Sequence, residues 1–248
     1  MFSPVRNMIK YTYVLIIAIL AGLIIAAFPL YSSYISQAVF PCTYYDSYRK
    51  GEHIKDHENT SINSIPKSDL NNDEVDAILY IREEEKLARD VYLTLYEKWN
   101  LPIFKNIASS EQIHMDAVKQ LIDRYGLKDP VVDEIGKFTN PELQELYNKL
   151  VNKGSKSLEE ALQVGATIEE VDIVDIKKYL SKVDNQDIQF IFNNLIKGSQ
   201  NHLRSFVSIM KKYGITYSPQ YLSQEEFNRI ISIHIETGQK GASHSKRG

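Results

Sequence analysis

Residues 107–125 read IASSEQIHMDAVKQLIDRY, and the mixture of apolar and ligand-type side chains in this stretch decides the fold. Ile107, Glu111, His114, Val118, Leu121 and Tyr125 recur at alternating steps of four and three residues. That spacing puts them on one face of a helix. The face is apolar except at its middle, where Glu111 and His114 stand. Three further stretches repeat the arrangement. The first is Ile78, Ile81, Glu85, Ala88, Tyr92, Leu95 and Trp99. Another is Leu162, Gly165, Glu169, Asp172, Ile176 and Tyr179, and the last is Ile188, Phe192, Leu195, Ser199, His202, Phe206, Ile209 and Tyr213. An ionisable group on such an inward face is costly unless it is paired, hydrogen-bonded or bound to metal.

Local signals bound the helices. Ser68 to Glu74 supply caps for a run to about Trp99, and Asn100-Leu101-Pro102 ends it. A second helix spans about Phe104 to Tyr125, with Gly126 after it. Pro141, Leu143, Leu146, Tyr147 and Leu150 predict a short helix inside the long passage that follows. Ser157-Leu158-Glu159-Glu160 resembles a capping box and opens the third long helix, which ends by about Val183. The fourth runs to Tyr213, and a short helical pattern covers Glu225 to Ile235. Two antiparallel helices, a crossover and two more make an all-α four-helix bundle with one long crossover.

Outside residues 68–235, assigned to the bundle, the character of the chain changes. From Tyr11 to Leu30 there is no charged side chain, a length that suits one crossing of a bilayer core. Arg6 and Lys10 precede it, so residues 1–10 are expected in the cytoplasm. Residues 11–34 are expected to be a transmembrane helix in the lipid, with the globular domain outside the cytoplasm. The competing reading is a signal peptide cleaved near Ser36-Gln37-Ala38, giving a secreted protein. Residues 35–67 read as a linker, in which His53 and His57 are solvated, and residues 236–248 as a flexible tail. The 248-residue chain is 43% hydrophobic and 25% charged, as a globular protein is. A net charge of -3 and the lack of a basic cluster exclude a nucleic-acid partner. The lone Cys42 excludes an intramolecular disulfide and a cysteine-rich metal site.

The candidate metal ligands are Glu85, Glu111, His114, Glu169, Asp172 and His202. Glu111-x-x-His114 projects two ligands from one helix face. Glu83 and Glu84 fall off the stripe and read as surface charge paired with Lys86 and Arg89. Glu170 competes with Glu169, because Val164, Ile168 and Val171 form a rival stripe. Tyr92 reads as a core aromatic, with hydrogen bonding to a ligand as its alternative role. Asn201 and Arg204 lie off the stripe.

With these residues assembled, the chain resembles the ferritin-like superfamily, above all rubrerythrin-type sequences. Glu85-x-x-Ala88-x-x-x-Tyr92 is similar to their first ligand helix, Ala108-x-x-Glu111-x-x-His114 to their second and Glu169-x-x-Asp172 to their third. More closely, REEEKLARDVYLTLYEKWNLPIF, IASSEQIHMDAV, GATIEEVDIVDI, GSQNHLRSF and YLSQEEF resemble the family called domain of unknown function 2202, over about Leu70 to Ile231. The departure is on the fourth helix, where Ser199 stands three residues before His202 in place of a second glutamate. Asp172 is the candidate to supply the missing oxygen.

These residues lead to the expectation of a membrane-anchored ferritin-like protein, with iron, in a di-iron or a mononuclear site, or manganese on carboxylate and imidazole ligands. Its activity would be that of a di-iron type oxidoreductase acting on oxygen, peroxide or ferrous iron. No Cys-x-x-Cys module is present, so an electron-donor protein is the expected partner. The alternatives are a metal-sequestering protein without turnover and a metal-free helical interaction module. A homodimer is compatible with the anchor, whereas a many-subunit cage is not.

Overall fold

The computed structural model describes residues 62–232. A short 3-10 turn, Ile62–Ser64, is followed by six α-helices: α1 Asn72–Trp99, α2 Pro102–Tyr125, α3 Pro141–Gly154, α4 Leu158–Leu180, α5 Gln186–Lys212 and α6 Gln224–Ser232. The caps are those that the local chemistry demands. Asn71 accepts from the Glu74 N–H while the Glu74 side chain accepts from the Asn71 N–H, a reciprocal capping box. Asn100 ends α1 in the left-handed region at φ 49°, and Pro102 starts α2 at once. Ser157 caps α4 by accepting from Glu160.

Contacts between helices fix the topology. Arg82 reaches Met115, Glu85 reaches His114 and Arg89 reaches Gln112, so α1 and α2 are antiparallel. Phe206 packs on Gly165 and His202 meets Glu169, so α4 and α5 are antiparallel too. Tyr92 with Gly165 joins α1 to α4, and Tyr125 with Asp187 joins α2 to α5. Each neighbouring pair runs antiparallel around the square α1, α2, α5, α4. The passage from the end of α2 to the start of α4 therefore travels the length of the bundle, and α3 in its middle packs on α1 and α4.

The apolar interior falls into two clusters. One gathers Leu95, Phe104, Leu162, Phe206 and Met210 with Tyr92, and the other Ile78, Ile81, Leu121, Ile188 and Phe192. The stripes from four helices lose their apolar character at the same level, so a polar layer separates the clusters. Each cluster supplies the hydrophobic burial that holds one end of the bundle together.

The expectation of a membrane-anchored architecture, and of a domain held outside the cytoplasm by it, is corrected. Among the described residues no helix is long and apolar enough to cross a membrane. The four long helices are amphipathic, and their charged residues interrupt any apolar run of the ~20 residues a span needs. The segment 11–34 assigned to the anchor lies outside the described residues, as do Cys42, His53, His57 and the tail. Of the expected linker, residues 62–67 belong to the bundle's surface. Ile62 is buried in an apolar cluster, and Lys67 Nζ donates to the Arg124 carbonyl at 2.8 Å.

A second correction concerns α1. Glu83, Glu84 and Lys86 are buried, where surface charge was expected. Lys86 Nζ donates to Asp90 and to the carbonyls of Glu134 and Lys137. Glu83 accepts from the Thr139 and Asn140 N–H groups. The crossover covers Glu83 and Lys86, and its backbone meets their charges, whereas Glu84 faces Asp175 on α4.

Candidate metal centre

The polar layer is built from four helices. Glu85 on α1, Glu111 and His114 on α2, Glu169 on α4 and His202 on α5 are all buried. They form a continuous chain. His114 Nδ1 lies 3.1 Å from Glu85 Oε2 and 2.8 Å from Glu111 Oε2. His202 Nδ1 lies 2.8 Å from Glu111 Oε1 and 3.3 Å from Glu169 Oε2. The imidazole rings are stacked, with centroids 5.3 Å apart. Glu111 thus stands between the two histidines with one oxygen toward each.

Several of these short contacts are not regular hydrogen bonds. Both Glu111 oxygens, Glu169 Oε2 and His202 Nδ1 are buried without a partner of hydrogen-bonding geometry, although the distances are short. Two atoms each about 2.1 Å from a common ion, about 90° apart, would be separated by about 3 Å. The spacing and the unpartnered oxygens fit a cation-binding donor set. Glu111, His114 and His202 each offer a ligand atom within 4.8 Å of the others and could hold a metal ion.

Electrostatics follows from this crowding. Burial raises the Glu85 carboxyl to about 7, with Glu111 adding to the rise and His114 opposing it. Burial likewise lifts Glu169 to about 7 against the pull of His202. Glu111 is also desolvated, but His202 and His114 together outweigh that and hold it below the usual carboxylate range. Burial works against charge on the imidazoles, yet Glu111 and Glu85 carry His114 well above its ordinary value, and Glu111 and Glu169 carry His202 to about 10. Without metal, the layer retains protons on both histidines and shares the remaining charge among acids.

The supporting contacts hold the donors in place. Tyr92 donates its hydroxyl to Glu169 Oε1 at 2.5 Å, and the same hydroxyl lies 3.1 Å from the Gly165 carbonyl. His202 Nε2 is 2.9 Å from Ser110 Oγ, which leaves Nδ1 facing the acids. A Cβ on Gly198 would stand 2.3 Å from His114 Nε2, so the absent side chain makes room for that ring. Ser199 is buried and donates its hydroxyl to the Leu195 carbonyl, away from ligand duty.

Of the six expected ligands, Glu85, Glu111, His114, Glu169 and His202 meet in this layer. Asp172 is buried one turn beyond Glu169, with Oδ2 unpartnered. Burial, then Glu84 and Glu85, raise its carboxyl well above the ordinary value. Glu170 faces the other way, where it accepts from the N–H groups of Gln220, Tyr221 and Leu222 and from the Tyr217 hydroxyl. Arg204 and Asn201 pair with each other off the layer. Sequence reasoning missed Ser110 and Gly198, which lie one residue before Glu111 and Ser199, and the burial of Glu84. Leu87 and Val91, apolar but off the α1 stripe, were the available sign that α1 is covered on more than one side.

An all-helical bundle with an acidic and imidazole layer at mid-height defines a class of protein. The chain belongs to the family described as an uncharacterized protein domain, domain of unknown function 2202, which matches residues 74–234. It is similar to the uncharacterized protein MJ0754 of Methanocaldococcus jannaschii, 57% identical over 178 residues that cover 71% of this chain and 96% of that protein. The crystal structure of hypothetical protein MJ0754 from Methanococcus jannaschii DSM 2661 superposes with a TM-score of 0.68 and 57% identity, covering 70% of this chain and 99% of that one.

Proposed function

We propose that this chain is a ferritin-like metal protein whose polar layer would hold iron or manganese, with Glu111 as the acid common to both histidines, and that it acts as an oxidoreductase on oxygen, peroxide or ferrous iron. The observation that carries the reading is the unbroken sequence Glu85, His114, Glu111, His202, Glu169, buried and closely spaced, in which both Glu111 oxygens, Glu169 Oε2 and His202 Nδ1 have no partner of hydrogen-bonding geometry. The single long crossover supports the ferritin-like assignment. Glu85 and His114 would hold one ion, Glu169 and His202 the other, with one Glu111 oxygen for each. Oxygen and imidazole donors without thiolate suit iron or manganese. Bound there, such ions supply reversible one-electron oxidation.

The chain's own residues set the conditions for that chemistry. Tyr92 orients Glu169, and Ser110 fixes the His202 ring with Nδ1 inward. The apolar clusters above and below restrict water to the layer. Both imidazoles must release the Nδ1 proton when an ion arrives, so loading liberates protons.

The test is metal content of the full chain purified without chelator or affinity metal, followed by anaerobic Fe(II) titration and exposure to oxygen or peroxide. About two ions per chain and oxidation faster than that of free ferrous iron are expected. Binding without accelerated oxidation would leave a metal-sequestering protein. A folded chain that binds no metal, and that gains stability when Glu111 and His114 are replaced by Leu, would make the layer an internal ion-pair network.

A further inference from the structure

Beyond the ligand chain, a second line of acids runs from the layer toward the surface between α1 and α4. Glu84 is buried, and neither of its oxygens has a partner of hydrogen-bonding geometry. Asp172, also buried, leaves Oδ2 unpartnered. The two are strong electrostatic neighbours, and Asp172 in turn feels Glu85 and Glu169 in the layer. On its other side Glu84 faces Asp175, the partly exposed acid one turn along α4 from Asp172. Tyr80 and Tyr179, with ring centroids 5.5 Å apart, lie one turn beyond Glu84 and Asp175 on the same two helices.

Leaving a buried polar atom unsatisfied costs about 1–3 kcal/mol, and helices that merely needed packing would place Leu or Ile at positions 84 and 172. As carboxylates, acids this close would oppose one another, and burial together with that opposition holds the Glu84 and Asp172 carboxyls well above their ordinary values. A divalent cation turns the arrangement to advantage. It can shed its water in steps, each carboxylate oxygen replacing one lost ligand, and it is attracted at every stage. Glu84, Asp172 and Asp175 do not form a three-donor group within 4.8 Å of one another, unlike Glu111, His114 and His202.

We propose that Asp175, Glu84 and Asp172 form a carboxylate ladder by which a divalent cation passes from the α1–α4 surface to the Glu85 and Glu169 end of the buried layer. The inference rests on the metal-binding reading above. It assigns to Glu84 and Asp175 a role in the rate of loading, not in the affinity of the finished site.

The experiment follows uptake of Co(II), read by its visible absorption in stopped flow, by the full chain and its Glu84→Gln and Asp175→Asn variants. Asp123→Asn, which removes an exposed charge on α2, is the control for net charge. The ladder predicts unchanged cobalt per chain after overnight equilibration, but loading and chelator-driven release each slowed about 10-fold in both ladder variants. Asp123→Asn should load at the wild-type rate. Full content reached at unchanged rates in Glu84→Gln and Asp175→Asn overturns the ladder and leaves the metal site standing. Slowing by Asp123→Asn to the same degree also overturns it, because general charge would then be the cause. A wild-type chain that takes up no cobalt, manganese or iron removes the metal site itself, and the ladder with it.

Discussion

Glu85 and His114 on α1 and α2 face each other as Glu169 and His202 do on α4 and α5, yet the residues around the two pairs differ. Three positions before His114 stands Glu111, and three before His202 stands Ser199. One residue earlier are Ser110 and Gly198, and each of these lies against the histidine of the opposite half. Three positions after Glu85 comes Ala88, and three after Glu169 comes Asp172. The halves share one framework, and the acid absent at position 199 has a counterpart in the extra acid at 172. Glu111 then serves both histidines. A missing ligand in a symmetrical plan is best judged against the whole layer and not against its own helix.

The change expected to break the comparison most severely is Glu111→Gln. It keeps the shape and removes the charge that both imidazoles face, so affinity for both ions should fall at least about 100-fold. Isothermal titration with Mn(II) measures this. Loss in one half only would show that Glu111 is a ligand to a single ion.

Acid and base should move the metal-free and loaded proteins in opposite directions. Glu85 and Glu169, raised to about 7, and His202, raised to about 10, bind protons more tightly in the folded chain than in the unfolded one. Their contribution is fully present below the unfolded values and is lost as pH rises through the folded ones. Metal-free protein should therefore melt at progressively lower temperature from about pH 5 to about pH 10. Metal affinity should rise over the same interval as the competing protons leave. Thermal melts by circular dichroism, with and without Mn(II), give both slopes.

Ser199→Glu sharpens the comparison by restoring the symmetrical plan. A second acid facing the layer should tighten binding on the Glu169 and His202 side about 10-fold and destabilise the metal-free chain, since another carboxyl is buried there. Stepwise Mn(II) titration and urea melts report the two effects. The smallest change is Tyr92→Phe, which removes the hydroxyl from Glu169 and leaves the aromatic packing. A loss of about 1 kcal/mol in metal-free stability is expected, with metal still bound at full content.

Much of this was legible in the residues. Apolar steps of three and four placed the helices within a few positions of their observed ends, and the short connections after Trp99 and Leu180 made neighbours antiparallel. The five residues of the buried polar layer were picked from those stripes, because a charge in mid-stripe has nowhere else to point. Glu83, Glu84 and Lys86 were misread, since a run of charges with opposite partners at helical spacing looks the same whether water, a crossover or a neighbouring helix covers it. The bridging position of Glu111 was also hidden. It depends on how α2 and α5 approach across Gly198 and Ser110, a distance no single-helix pattern contains. The segment 11–34 stands apart from all of this, because it lies outside the described residues, among which no helix is long and apolar enough to cross a membrane.

The most direct measurement is electron paramagnetic resonance of the full chain loaded with Mn(II) to saturation, beside its Glu111→Gln variant. Two ions in a shared site lie about 3.5–4 Å apart and are magnetically coupled. The account predicts about two manganese ions per wild-type chain, a coupled spectrum without the isolated six-line pattern, and loss of that coupling in Glu111→Gln. A single uncoupled ion in the wild type, unchanged by the substitution, would contradict it.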